Sequence, residues 1–161
     1  MKKLLSRPNT MPPIILASDH AGFKLKGAIK AFLESKGMQT LDVGAHEYNE
    51  ADDYPPFMTA AAMKVAADLS GETKAVIFGG SGEGEAIVAN RFPGVRALVW
   101  YGGSTEILKL SREHNNANVL SIGARFVDEA EAKKAVELWL NTPFSNEERH
   151  RRRIQEIDNI E

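Results

Sequence analysis

The stretch AVIFGGSGEGEAIVANR, residues 75–91, decides the fold. Ala75 to Phe78 form a continuous apolar run, too short for a helix, of the kind a strand shows when both its faces are buried. Gly79, Gly80, Ser81, Gly82, Glu83 and Gly84 break that run, and a helical segment follows from Glu85 to about Arg91. A buried strand, a glycine-dense turn and a helix make the leading half of a parallel βαβ unit.

The same alternation continues outward in both directions. Upstream, PIILAS (13–18) reads as a strand and AGFKLKGAIKAFLESKG (21–37) as a helix. In that helix Leu25, Ala28, Ile29, Phe32 and Leu33 share one apolar face, and Gly37 ends it. Thr40 to Val43 gives another strand, and Pro55 opens an alanine-rich helix to about Leu69, proline being favoured in a first turn. Downstream, RALVW (96–100) and NVLSI (118–122) are strands, each followed by a helix, over about Ser104–Glu113 and Asp128–Leu140. A last helix is predicted to start at Ser145, which has capping-box spacing to Glu148. The prediction is one α/β domain, three-layered and Rossmann-like, with a doubly wound five-stranded parallel sheet. Ligands are then expected at the carboxyl ends of the strands. The final helix has no strand after it and is expected to reach a partner subunit.

Composition narrows the chemistry. The 161 residues, 43% hydrophobic and 26% charged, suit one ordinary globular domain. A formal net charge of -2 gives no global reason to expect nucleic acid or an anionic membrane as partner. The chain has no cysteine, which excludes disulfides, a thiolate nucleophile and cysteine-ligated metals. Residues 1–11, beginning MKKLLSRPNT, lack the apolar core of a signal peptide and read as a flexible tail before a single domain at 12–161. A cytoplasmic location is expected.

Four polar clusters follow predicted strands or helices. Asp19 and His20 close the first strand, where they can bind sugar hydroxyls or move protons, or where Asp19 can simply cap the next helix. The loop Gly79–Gly84 carries four glycines in six residues, enough to turn backbone N–H groups inward around an anion. It lacks the Gly-Lys-Ser/Thr ending of a Walker loop, and its place after the third strand argues against a dinucleotide fingerprint. Glu85 beside it is either a dipole-friendly surface acid or a general base. His114 and Asn115 lie between the fourth helix and the fifth strand. Arg125 follows the fifth strand, and Arg149 and Arg153, spaced i and i+4, share a face that suits a phosphate or merely local ion pairs. The inventory is an anion site with acid–base groups and no metal ligand set, which fits proton shuttling on a phosphorylated sugar.

The combination of DHAG (19–22), DYP (53–55), GGSGEGE (79–85), ANR (89–91), PGVR (93–96), EHNNANVL (113–120) and GAR (123–125) resembles the type B ribose-5-phosphate isomerase family over roughly residues 13–160. The resemblance implies a cofactor-free aldose–ketose isomerase and a homodimer with shared active sites, with a dimer of dimers as the alternative assembly. It implies that Asp19 and His20 contact substrate and that Gly79, Gly80, Ser81, Gly82 and Gly84 cradle the oxygens of the reacting end. It places Tyr54 beside the sugar ring, His114 with Asn115 at ring opening, and Arg125, Arg149 and Arg153 on the phosphate. One branch of that family uses a cysteine base at the position of Gly79, and the other uses the glutamate that is Glu85 here. A cysteine-free chain leaves Glu85 as the base. Other expectations remain open alongside: a four- or six-carbon sugar phosphate as substrate, or a non-catalytic nucleotide- or phosphate-binding module.

Overall fold

A computed structural model describes residues 11–161. Of the expected tail, residues 1–10 lie outside the described residues, and Met11 is exposed. Five strands alternate with helices: β1 (Ile14–Ser18), α1 (Phe23–Ser35), β2 (Thr40–Asp42), α2 (Tyr54–Ala67), β3 (Ala75–Gly79), α3 (Glu83–Ala89), β4 (Ala97–Trp100), α4 (Glu106–Asn115), β5 (Val119–Gly123), α5 (Glu129–Asn141) and α6 (Glu148–Asp158). The sheet is wholly parallel, in the order β2-β1-β3-β5-β4.

Alternation along each strand sorts side chains to two helical layers. Leu16, Val76, Phe78, Leu120 and Ile122 face one layer and pack with Ile29 and Leu33 of α1, Leu108 of α4 and Trp139 of α5. Ile15, Ala17, Ala75, Ile77 and Val119 face the other and pack with Met58, Ala62 and Val65 of α2 and Ala89 of α3. Apolar burial on both faces explains the uninterrupted apolar strands read in the sequence. The strand order reverses at the β1/β3 boundary, and β3 pairs with β5 through to Gly79 and Gly123. Three loops therefore converge at one carboxyl edge.

Two helix ends differ from expectation. α4 runs on through His114 and Asn115 and is closed by Asn116, left-handed at φ 45°, whose N–H donates to the Arg112 carbonyl. Asn adopts that conformation at low cost, so the helix ends there rather than at Glu113. The last helix begins at Glu148, and its capping box does not form. The Ser145 hydroxyl instead bonds the Nδ1 of His150 at 2.8 Å. A capping box does form on α5, where Asp128 and Glu131 bond each other's backbone N–H. α6 packs on α4 through His150, its single buried residue, whose ring lies 4.3 Å from that of His114. No helix among the described residues is long and apolar enough to cross a membrane.

Candidate active site

β1 delivers Asp19 and His20 to the carboxyl edge. Asp19 is buried, and its Oδ1 accepts the Gly22 N–H at 3.2 Å. Gly22 is itself the N-terminal cap of α1, without a side-chain bond to the helix, so Asp19 closes the strand–helix turn rather than capping the helix. The imidazole of His20 turns to Asp52, with Nδ1 2.7 Å from Oδ1, and the same oxygen accepts the His20 backbone N–H at 3.0 Å. Asp52 was not singled out from sequence. It sits in a polar loop 32 positions away, and only the fold brings it to His20.

The expected absence of a metal set meets one observation here: donor atoms of Asp19, His20 and Asp52 lie within 4.8 Å of one another. The Nδ1 of His20 is engaged with Asp52, however, so the cluster is arranged as a hydrogen-bonded pair next to a second carboxylate.

The glycine loop leaves β3 at Gly79 and enters α3 through Gly82, which is left-handed at φ 82°. Its carbonyls are tied toward β5. Ala124 N–H donates to Gly79 O at 2.8 Å, Arg125 N–H to Gly80 O at 3.1 Å, and the Ser121 hydroxyl to Gly82 O at 2.6 Å. Ser81 accepts the Glu83 N–H through its Oγ at 3.2 Å. With carbonyls held on one side, the loop suits an approaching anion or oxyanion on the other. The Arg125 guanidinium lies over Gly80, where an added Cβ would sit 3.2 Å from its Nη1.

Two glycines of this loop are required by close approach to side chains of the site. A Cβ on Gly79 would lie 1.8 Å from the Glu85 Oε1, and one on Gly84 would lie 2.7 Å from the Tyr54 hydroxyl. The absent side chain of Gly79 is thus the space that holds the Glu85 carboxyl, and the absent side chain of Gly84 seats the Tyr54 ring. Glu85 is 4% exposed. Burial pushes its carboxyl above the usual glutamate value and the charges of Asp19 and Glu83 add to that push, against the backbone N–H groups of Glu85 and Gly82. A helix N-terminus would by itself lower the value, but desolvation outweighs it here. A buried carboxyl with a raised pKa beside an anion cradle has the properties of a general base.

Asp19, His20, Tyr54, the loop Gly79–Gly84, Glu85 and Arg125 therefore meet at one edge. His114, Asn115, Arg149 and Arg153 do not. α4 runs from the carboxyl end of β4 back to the amino end of β5, and its ten residues span about 15 Å. Its last turn is bound to the amino end of the sheet, where Arg96 Nε, just before β4, donates to the Asn115 carbonyl at 2.8 Å. α6 follows α4 to that end: Ser145 N–H donates to the Glu113 carbonyl at 3.1 Å. Arg149 pairs there with Glu147 at 2.9 Å, while Arg153 has no ion pair among the described residues.

The model of the ribose/galactose isomerase family matches residues 14–157. Ribose-5-phosphate isomerase B of Mycolicibacterium paratuberculosis is 48% identical over 142 residues, covering 88% of this chain and 86% of that one. The Escherichia coli enzyme of the same name is 37% identical over 152 residues, covering 94% and 97%. The crystal structure of ribose-5-phosphate isomerase B from Mycoplasma genitalium with bound ribulose 5-phosphate superposes with a TM-score of 0.85 at 36% identity, covering 91% of this chain and 93% of the other.

Proposed function

The chain belongs to the ribose/galactose isomerase family and is an aldose–ketose isomerase interconverting ribose 5-phosphate and ribulose 5-phosphate; from that premise we propose that Glu85 is its proton-transferring base and that each active site is completed by a second subunit. The observation that carries the first part is the buried Glu85 carboxyl lodged against the Cα of Gly79, at the mouth of the glycine loop.

In this reading Glu85 removes the proton from carbon 2 and returns it to carbon 1 through a cis-enediolate, without a metal. The N–H groups of the loop from Gly79 to Gly84, with the Ser81 hydroxyl, stabilise the developing oxyanion, a contribution of several kcal/mol in a water-poor site. Asp19 and His20 bind hydroxyls, and Tyr54 lines the ring. The raised pKa serves the chemistry because a base is most effective when its pKa approaches the working pH.

The second part rests on the separation between the two ends of the sheet. His114 and Asn115, suited to ring opening, and Arg149 and Arg153, suited to the phosphate, face away from Glu85 in their own chain. A homodimer with a two-fold axis would bring the amino end of one chain to the carboxyl end of the other, twice over. α6 is suited to this role because all its residues except those near His150 remain open to a neighbour. Phosphorylated pentoses are cytoplasmic metabolites, which is where this reading puts the enzyme.

The test is to incubate the protein with ribose 5-phosphate in chelator and follow ribulose 5-phosphate, with Glu85→Gln in parallel. Turnover lost in the variant supports the base. Near-native turnover by Glu85→Gln removes Glu85 from the mechanism.

A further inference from the structure

We propose that Asp52 is a positioning residue that holds the imidazole of His20 with its proton on Nδ1, so that Nε2 is the nitrogen that exchanges a hydrogen bond with the sugar phosphate. This rests on reading the carboxyl-edge cluster as the isomerase site.

One carboxylate oxygen, Asp52 Oδ1, meets two nitrogens of the same residue: the His20 backbone N at 3.0 Å and the ring Nδ1 at 2.7 Å. The backbone contact fixes the oxygen as an acceptor, and a carboxylate oxygen has no proton to give. A bare Nδ1 at 2.7 Å would set one lone pair against another, so the ring proton resides on Nδ1. In the neutral ring Nε2 then carries the free lone pair.

Exposure agrees with this division of labour. The Asp52 side chain is 9% exposed and that of His20 24%, so the carboxylate lies behind the ring and the ring faces the site. The Asp52 backbone is pinned as well. Its N–H donates to the Asn49 carbonyl at 3.0 Å, and the Asn49 side chain accepts the Ala51 N–H at 3.0 Å. The second oxygen, Oδ2, is buried and has no partner. The groups facing the ring are Asp19 from the end of β1, Asp52 from the loop before α2, and the edge of Tyr48 at 6.5 Å. Neither acid forms an ion pair with a lysine or arginine among the described residues.

Asp52→Ala, Asp52→Asn, His20→Ala and the double variant His20→Ala/Asp52→Ala test this. The ring tautomer is read first, by nitrogen NMR of the histidine-labelled, substrate-free protein at about pH 8.5, where imidazoles are ordinarily neutral. The wild type should show a protonated Nδ1 and a bare Nε2 at His20, and Asp52→Ala should show mixed tautomers. In kinetics, Asp52→Ala should lose roughly 10- to 100-fold in kcat/KM, the cost of removing the outer carboxylate partner from a metal-ligating imidazole. Asp52→Asn, which keeps an acceptor oxygen of the same shape, should recover part of that loss. The double variant should be no worse than His20→Ala alone, because Asp52 acts through His20. An unchanged tautomer in both Asp52 variants overturns the proposal, as does a double variant whose losses multiply. The tautomer measurement needs no turnover, so a wild type inactive on ribose 5-phosphate would count against the substrate reading and leave the Asp52 result standing.

Discussion

Replacing Gly79 by alanine is a test of how Glu85 is held. The new methyl carbon would sit 1.8 Å from Oε1 and 2.0 Å from Cδ of Glu85. Ordinary carbon–oxygen contact needs nearly twice the first distance, so the carboxyl must retreat by about 1.5 Å. A misplacement of about 1 Å at a reacting group costs on the order of 100-fold in rate, which is about 2.7 kcal/mol of transition-state stabilisation. The loss should appear in kcat. The fold should tolerate the change, because Gly79 is an extended residue of β3 whose conformation alanine shares, and overpacking of this kind costs about 1–3 kcal/mol. Steady-state isomerisation of ribose 5-phosphate, with thermal melting as control, measures both. Gly79→Ala/Glu85→Gln should be no slower than Glu85→Gln alone, since both changes act on one carboxyl. Near-native kcat in a folded Gly79→Ala, or multiplying losses in the double variant, refutes the steric argument.

Further predictions concern pH, architecture and assembly. Because burial raises the Glu85 pKa in the folded chain, the folded state holds that proton more tightly than the unfolded one, and stability falls as pH rises through the window above the ordinary value of 4.5. Glu85→Gln should therefore melt higher than the wild type at neutral pH and approach it below pH 4, while being inactive; equal melting at neutral pH would contradict the burial cost. Wild-type kcat should decline on acidification as Glu85 takes up its proton, which a pH profile records. The buried Lys26 bonds Asp42 at 2.8 Å and the Ala45 carbonyl at 2.6 Å, tying down the start of the loop that leads to Asp52. Lys26→Met should cost about 3 kcal/mol, a fall in Tm of roughly 6–12 °C; an unchanged Tm would show the tie to be idle. Mixing unfolded Glu85→Gln and Arg153→Ala chains and refolding them together should restore activity to about one quarter of wild type, since half the chains pair as heterodimers with one intact site. No recovery would argue against sites shared between subunits.

The layers of the fold were legible because strand and helix periodicity are local. Ala75–Phe78 and the face of Leu25, Ile29 and Leu33 announce themselves within a few residues, and all the strands and helices predicted from sequence occur in the structure. The glycine loop and Glu85 were legible for the same reason, lying in one segment. What sequence could not supply was pairing at a distance. Asp52 has no periodic or motif signal, and its meaning comes from a contact made across the chain. Ser145 carried a capping signal, but His150, five residues on and buried against α4, took its hydroxyl. At Glu85 the polarity of the helix start is visible in sequence, whereas the burial that raises its pKa is not.

The interlock between Gly79 and Glu85 also constrains how such a chain can change over generations. A first mutation that gives position 79 a non-basic side chain displaces the carboxyl with no replacement base present, and a first mutation at 85 removes the base while position 79 is still bare. Exchange of one base for another thus passes through a crippled intermediate from either direction. The steric interlock predicts that the glycine and the glutamate behave as one character, so a survey of descendants should find the two positions changing together or not at all.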